Sequence, residues 1–178
     1  ALQHRGQEAS GITTNDGKKF RTHRGTGLVS QVYTEKTIKN LTGYIGIGHN
    51  RYSTSKGGAL SHAQPVVNNN ASFALAHNGN LPSVKALENF LSSKKILKKD
   101  RNDSELITDA IDFYIKEGNS LPRAVEKTFP LITGAFSLVM MDKNNLVAVR
   151  DAYGMRPLAL GRLDKGYVIA SETCAIQT

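Results

Sequence analysis

Three short polar sites in this chain have the residue types needed to grip a free amino acid. Arg51 follows the apolar run Tyr44–His49, Asn78-Gly79 follows the run Phe73–Ala76, and Asp103 sits where an amphipathic stretch begins. A planar guanidinium matches an α-carboxylate through two parallel hydrogen bonds, and a carboxylate matches an α-ammonium. An Asn side-chain amide beside a Gly backbone N–H supplies two donors at one point, as a developing oxyanion requires. Each site also has an ordinary structural explanation. Arg51 alone suits a surface ion pair, and Asp103 alone suits the positive end of a helix. Asn78-Gly79 alone reads more readily as a tight turn. The chemistry requires the three to converge, as they would if the strands before Arg51 and Asn78 were neighbours in one sheet.

The elements that would position these residues follow from periodicity and turn signals. Ala1–His4 reads as the last turn of a helix, with Gly6 as its left-handed cap. Ser10–Thr14 and Lys18–His23 flank Asn15-Asp16-Gly17 as a hairpin. Gly27–Leu41 is a weak helical stretch, and Tyr44–His49 is a strand. Residues 50–65 are polar, with paired Gly57 and Gly58, and form a candidate lid; by composition alone an ordinary surface loop is the better explanation. Phe73–Ala76 is predicted as a buried strand that breaks at His77-Asn78-Gly79-Asn80 and leads into a helix over Pro82–Leu91. Asn102 and Glu105 have capping-box spacing, followed by an apolar stripe of Leu106, Ile107, Ala110, Ile111 and Tyr114. Another helix begins at Ser120-Leu121-Pro122. Four strands then follow as an antiparallel meander: Gly134–Met141, Leu146–Arg150, Pro157–Gly161 and Tyr167–Ser171. Strands, helices and strands in that order argue for an α+β fold with helices packed on sheet.

The totals narrow the function classes. The 178 residues suffice for one domain with a sizeable core, and 39% hydrophobic against 21% charged residues excludes a disordered chain. No run approaches a membrane span. The net charge of +8 owes much to Lys94, Lys95, Lys98, Lys99 and Arg101. That cluster lacks interleaved aromatics and reads as a solvated segment, so no nucleic-acid partner is expected. Cys174, the one cysteine, fits a reducing, cytoplasmic compartment and reads as a small buried hydrophobe. The five histidines show no metal-ligand spacing and there is no second cysteine, so no metal site is expected here; separately, Gly46-x-Gly48 lacks the third glycine of a dinucleotide fingerprint.

Six phrases together are far more specific than any one. They are Gln3-His4-Arg5-Gly6-Gln7-Glu8-Ala9-Ser10-Gly11, Gly48-His49-Asn50-Arg51-Tyr52-Ser53-Thr54, Ala63-Gln64-Pro65, Ala76-His77-Asn78-Gly79-Asn80-Leu81, Asp103-Ser104-Glu105, and Arg150-Asp151-Ala152-Tyr153-Gly154-Met155-Arg156-Pro157-Leu158. In this order, across essentially the whole chain, they resemble the class II glutamine amidotransferase domain. The first and last phrases, with Ala170-Ser171-Glu172-Thr173, favour the branch joined to a phosphoribosyltransferase domain over the glucosamine-6-phosphate synthase and asparagine synthetase branches.

The resemblance implies an N-terminal-nucleophile hydrolase fold, a four-layer αββα sandwich of two stacked antiparallel sheets flanked by helices. It also implies a mechanism. A mature N-terminal cysteine attacks the glutamine side-chain amide, its own α-amine acts as base, and a thioester forms as ammonia leaves. The residues matching the family motifs are Asn78 and Gly79 as oxyanion donors, Arg51 on the substrate carboxylate and Asp103 on its ammonium. Tyr52 and Thr54 belong to the loop that closes over glutamine, and Arg5 lies near its mouth. His77 is expected to support the geometry of the turn and to transfer no proton. In the branch favoured, ammonia passes to phosphoribosyl pyrophosphate in the first step of purine synthesis. The cysteine is expected before Ala1 and the phosphoribosyltransferase domain after Thr178, leaving residues 1–178 as one glutaminase domain, inactive alone. The resemblance implies no cofactor in this domain, Mg²⁺ in the phosphoribosyltransferase domain, iron–sulfur cluster ligands in some members, and a homo-oligomer at full length. Two rivals remain open: the glutaminase of another class II branch, and a non-catalytic amino-acid-binding module.

Overall fold

The computed structural model describes residues 1–52, 60 and 62–177. Two antiparallel sheets form its centre. The first has the order β2-β1-β3, from β1 (Ala9–Asn15), β2 (Phe20–Thr26) and β3 (Ile45–Arg51). The second has the order β4-β5-β6-β7, from β4 (Val66–Val67), β5 (Ala74–Asn80), β6 (Ala135–Met141) and β7 (Leu146–Arg150). Helices α3 (Lys85–Ser93), α4 (Asp103–Lys116) and α5 (Leu121–Thr128) cover the second sheet. Two short helices, α1 (Val29–Val32) and α2 (Glu35–Asn40), stand where a single weak helix is predicted. Val32 of α1 packs on Gly25 of β2, on the face of the first sheet away from the second. The layers are thus helix, sheet, sheet and a thin helical layer, an α+β fold of the αββα type.

Strand alternation separates the two cores. In β5, Leu75 joins the cluster under the helices, with Phe136, Leu138 and Met140 of β6 and Leu106, Ile107, Ala110 and Ile111 of α4. Ala74 and Ala76 point the other way and meet Ile47 and Met141 between the sheets. The small alanines at that interface let the sheets approach closely. Helix α4 starts as its capping box predicts: the Asn102 side chain accepts from Glu105 N at 3.0 Å, and Glu105 Oε2 accepts from Asn102 N at 3.1 Å.

Several local expectations are corrected. Strand β5 does not stop at Ala76; it runs through Asn78, Gly79 and Asn80, which pair with Ser137, Phe136 and Ala135 of β6. The ladder outweighs the turn propensity of Asn-Gly. The first helical turn is a 3₁₀ turn at Gln3–Arg5, and Gly6 is extended at φ 179°, not a left-handed cap. Its missing Cβ serves a different purpose, because a side chain there would collide with the Arg51 backbone. The predicted meander divides: β6 and β7 stay in the second sheet, whereas β8 (Ala159–Leu163) and β9 (Gly166–Ala170) pair as a separate hairpin. Cys174 is exposed rather than buried, on a 3₁₀ turn at Thr173–Ala175. The polar cluster of residues 94–101 does form a loop between helices α3 and α4.

The core under the helices makes a stability prediction. Ile111 is fully buried in it. Ile111→Ala should lower the unfolding free energy by about 2–5 kcal/mol, read as a shifted urea midpoint at unchanged slope.

Candidate functional site

A cleft of about 1030 Å³ opens at the end of the sandwich where β3 and β5 finish and α4 begins. Arg5, Arg51, Tyr52, Asn78, Gly79 and Asp103 all line it. Six of the seven residues expected at the site therefore share one cavity. The seventh, Thr54, lies outside the described residues, as do the rest of 53–59 and residue 61 of the candidate lid over 50–65. The route to convergence differs from expectation. Strands β3 and β5 belong to different sheets stacked face to face, not to neighbouring positions in one sheet.

Each side chain is held by its local structure. Arg51 is the last residue of β3, opposite Ala9, and its carbonyl accepts from Glu8 N at 3.1 Å. Its Nε lies 3.8 Å from Glu8 Oε2. Asn78 follows the parity of Ala74 and Ala76 and so faces the first sheet. Its Nδ2 is buried and has no hydrogen-bond partner among the described residues. A buried amide donor left unpaired costs about 1–3 kcal/mol, so an orphan donor marks a place where a ligand oxygen would be welcome. Gly79, one residue on, must be glycine: an added Cβ would lie 2.6 Å from both Ala135 O and His77 Nε2.

Asp103 occupies the first position of α4, where the helix dipole favours a carboxylate. Its Oδ1 accepts from Ser104 N at 2.7 Å and from Ser104 Oγ at 3.3 Å. His77 stands behind it, with Nδ1 at 3.1 Å from Ser104 Oγ and 3.6 Å from Asp103 Oδ2. At the cleft's mouth Arg5 donates to Glu172 Oε1 at 2.8 Å, and His4 Nε2 lies 2.9 Å from Glu172 Oε2. The bond from Arg5, then that from His4, holds the Glu172 carboxyl below its ordinary range. Tyr52 is 76% exposed at the same edge.

Other contributors had no role read from sequence. Gln64 clamps the backbone of β5 like a strand partner: its Oε1 accepts from His77 N at 2.6 Å, and its Nε2 donates to His77 O at 3.3 Å. Arg24 fixes the segment before it, donating to Ala63 O at 2.8 Å. Asp151 organises the turn bearing Arg156, accepting from the backbone of Tyr153, Met155, Arg156 and Phe136. The phrases containing Gln64 and Asp151 were visible, but side-chain-to-backbone bonds across 13 and 15 residues leave no periodic signal. Among the described residues, no group of three or more His, Cys, Asp or Glu side chains is placed to hold a metal ion. No described helix is long and apolar enough to cross a membrane.

The arrangement offers a cation for a carboxylate, a carboxylate for an ammonium, and an unpaired amide donor between layers. Comparison with known proteins bears on the family of the chain. Residues 49–178 match the family model described as the glutamine amidotransferase domain. An amidophosphoribosyltransferase of Methanocaldococcus jannaschii is 41% identical over 100% of this chain and 38% of its own length. One from Mycobacterium tuberculosis is 43% identical over 99% of this chain and 35% of its own. The solved structure of glutamine phosphoribosylpyrophosphate amidotransferase from B. subtilis, complexed with ADP and GMP, superposes with a TM-score of 0.84 at 34% identity, over 99% of this chain and 38% of that one. The chain thus spans somewhat more than a third of the length of these relatives.

The partly buried His49 of the cleft makes folding pH-dependent. Burial, and then the neighbouring His77, push His49 down from its ordinary 6.5 to about 4, against the pull of a hydrogen bond with the His77 backbone. The folded state therefore prefers neutral His49, and the unfolded state gains protons first as pH falls. Stability is full above about pH 6.5 and should decline towards pH 4, by about 3 kcal/mol from this group. Thermal melts at stepped pH should show the decline, and His49→Gln should flatten part of it.

Proposed function

The chain belongs to the glutamine amidotransferase domain family, and from that membership we propose that it is the glutaminase part of an amidophosphoribosyltransferase. In this reading the cleft binds glutamine. The Arg51 guanidinium takes the α-carboxylate, and Asp103 takes the α-ammonium. The side-chain amide is thereby presented towards Asn78 and Gly79. A thiolate attacks the amide carbon, and its carbonyl oxygen becomes the oxyanion that Asn78 Nδ2 and Gly79 N–H stabilise. Ammonia leaves with a proton, and water hydrolyses the thioester to glutamate. Arg5 and Tyr52 stand at the mouth, where they would meet a closing loop that includes Thr54.

The attacking thiol is not Cys174, which is exposed near Glu172 and has no free α-amine. We place it on a mature N-terminal cysteine outside these residues, in keeping with the family chemistry. The acceptor of ammonia would be phosphoribosyl pyrophosphate, as the names of the relatives suggest; its binding, with Mg²⁺, would fall to a further domain. Any iron–sulfur ligands, and the contacts of a homo-oligomer, would also belong to that longer protein. None of the glutamine steps runs through a metal.

The observation that carries this reading is the unpaired, buried Asn78 Nδ2 in a cleft shared with Arg51 and Asp103. In the full-length protein, Asn78→Ala should lower kcat for glutamine hydrolysis by about two to three orders of magnitude, the scale for losing one oxyanion donor. Glutamate release by a coupled assay measures it, and an unchanged rate would remove Asn78 from the oxyanion site.

A further inference from the structure

Behind Asp103 lies a closed hydrogen-bond network that binds no substrate itself. Ser104 Oγ has one proton to give and two lone pairs to fill. It donates to Asp103 Oδ1 at 3.3 Å. It accepts from Gln64 Nε2 at 3.3 Å and stands 3.1 Å from His77 Nδ1. With its proton committed to Asp103, the hydroxyl can only accept from His77. The imidazole must therefore carry its proton on Nδ1, which leaves Nε2 as the unprotonated nitrogen over Gly79. Gln64 closes the ring by pairing with both backbone groups of His77.

We propose that His77, acting through Ser104, is a positioning residue for the ammonium-binding carboxylate of Asp103. This rests on the reading of Asp103 given above and adds how its carboxylate is aimed. Two bonds from Ser104 fix Oδ1, which leaves Oδ2 to the incoming ammonium. The hydroxyl is itself fixed because Gln64 and His77 fill its lone pairs. The 1% exposure of the His77 side chain makes the relay rigid, since the ring has no solvent to turn into. The same strand that presents the Asn78 amide thus also sets the group that anchors the other end of the substrate.

The charge state of His77 belongs to this device. A protonated ring 3.6 Å from Asp103 would occupy the carboxylate that the substrate ammonium needs. The charged groups acting on it come from several elements: Asp103 on α4 favours the imidazolium, while Arg156 after β7 opposes it. His49 on β3 is a further, partly buried imidazole beside it. Burial is the largest influence and keeps His77 below its ordinary value, so the ring stays neutral and the carboxylate stays free.

The test compares glutamine with glutaramate, the same molecule without its α-amine, in the full-length protein. Ser104→Ala should raise KM for glutamine by about tenfold, the scale of a lost hydrogen bond to a charged group, with kcat within about twofold. KM for glutaramate should move by less than about twofold, because it has no ammonium to place. His77→Asn should shift the pair of values in the same direction, and it carries the test if Ser104→Ala lowers the melting temperature. Equal effects on both compounds, or none, would overturn the positioning role. Asp103→Asn separates this from the underlying reading. If it erases the preference for glutamine while the Ser104 and His77 variants do not, the relay is wrong and the ammonium site stands. If Asp103→Asn leaves the preference intact, the ammonium assignment itself falls.

Discussion

The antiparallel ladder between β5 and β6 is the constraint on which the site depends. Pairing from Ala74↔Met141 to Asn80↔Ala135 keeps the Asn-Gly pair extended where its own propensity favours a turn. Because the pleat alternates, consecutive residues of that strand serve different layers. His77 faces α4 and its Ser104, and Asn78 faces the first sheet and the Arg51 strand. A turn at the same place would turn both side chains away from these layers and leave the Asp103 relay without its histidine. A one-residue slip of register would exchange the two faces, and the alanines between the sheets and the Leu75 contact under the helices make such a slip costly.

Much of this was legible in the sequence, for reasons that can be named. Helix α4 announced itself through the Asn102–Glu105 capping box and its apolar stripe, because capping and 3.6-residue periodicity are local. The β1–β2 hairpin announced itself through Asn15-Asp16-Gly17, where Gly17 adopts φ +87°. The site residues were legible only as motif phrases, and the cleft brings together all of those that are described. What was not legible is non-local. Nothing in the run Phe73–Asn80 says that a strand some 55 residues later will hold Asn78-Gly79 straight. Nothing near Gly6 says that its missing Cβ makes room for the backbone of Arg51. Cys174 looked like a small core residue by type alone, yet only two strands form the sheet before it and its turn stays exposed.

The division of the cleft between layers has its own consequence. The Arg51 guanidinium rides on the first sheet, whereas the Asp103 carboxylate rides on α4, which packs on the second. An amino acid held by both, as proposed, would therefore bridge the two halves of the sandwich. The separation between its anchors depends on how closely the sheets stack, and Ala74, Ala76, Ile47 and Met141 set that spacing. Dense packing transmits such distances with little give. A larger side chain at Ala76 would act on the site without touching it, by moving Arg51 relative to Asp103. In the proposed reading the interior between the sheets is thus part of the binding apparatus, although none of its side chains carries chemistry.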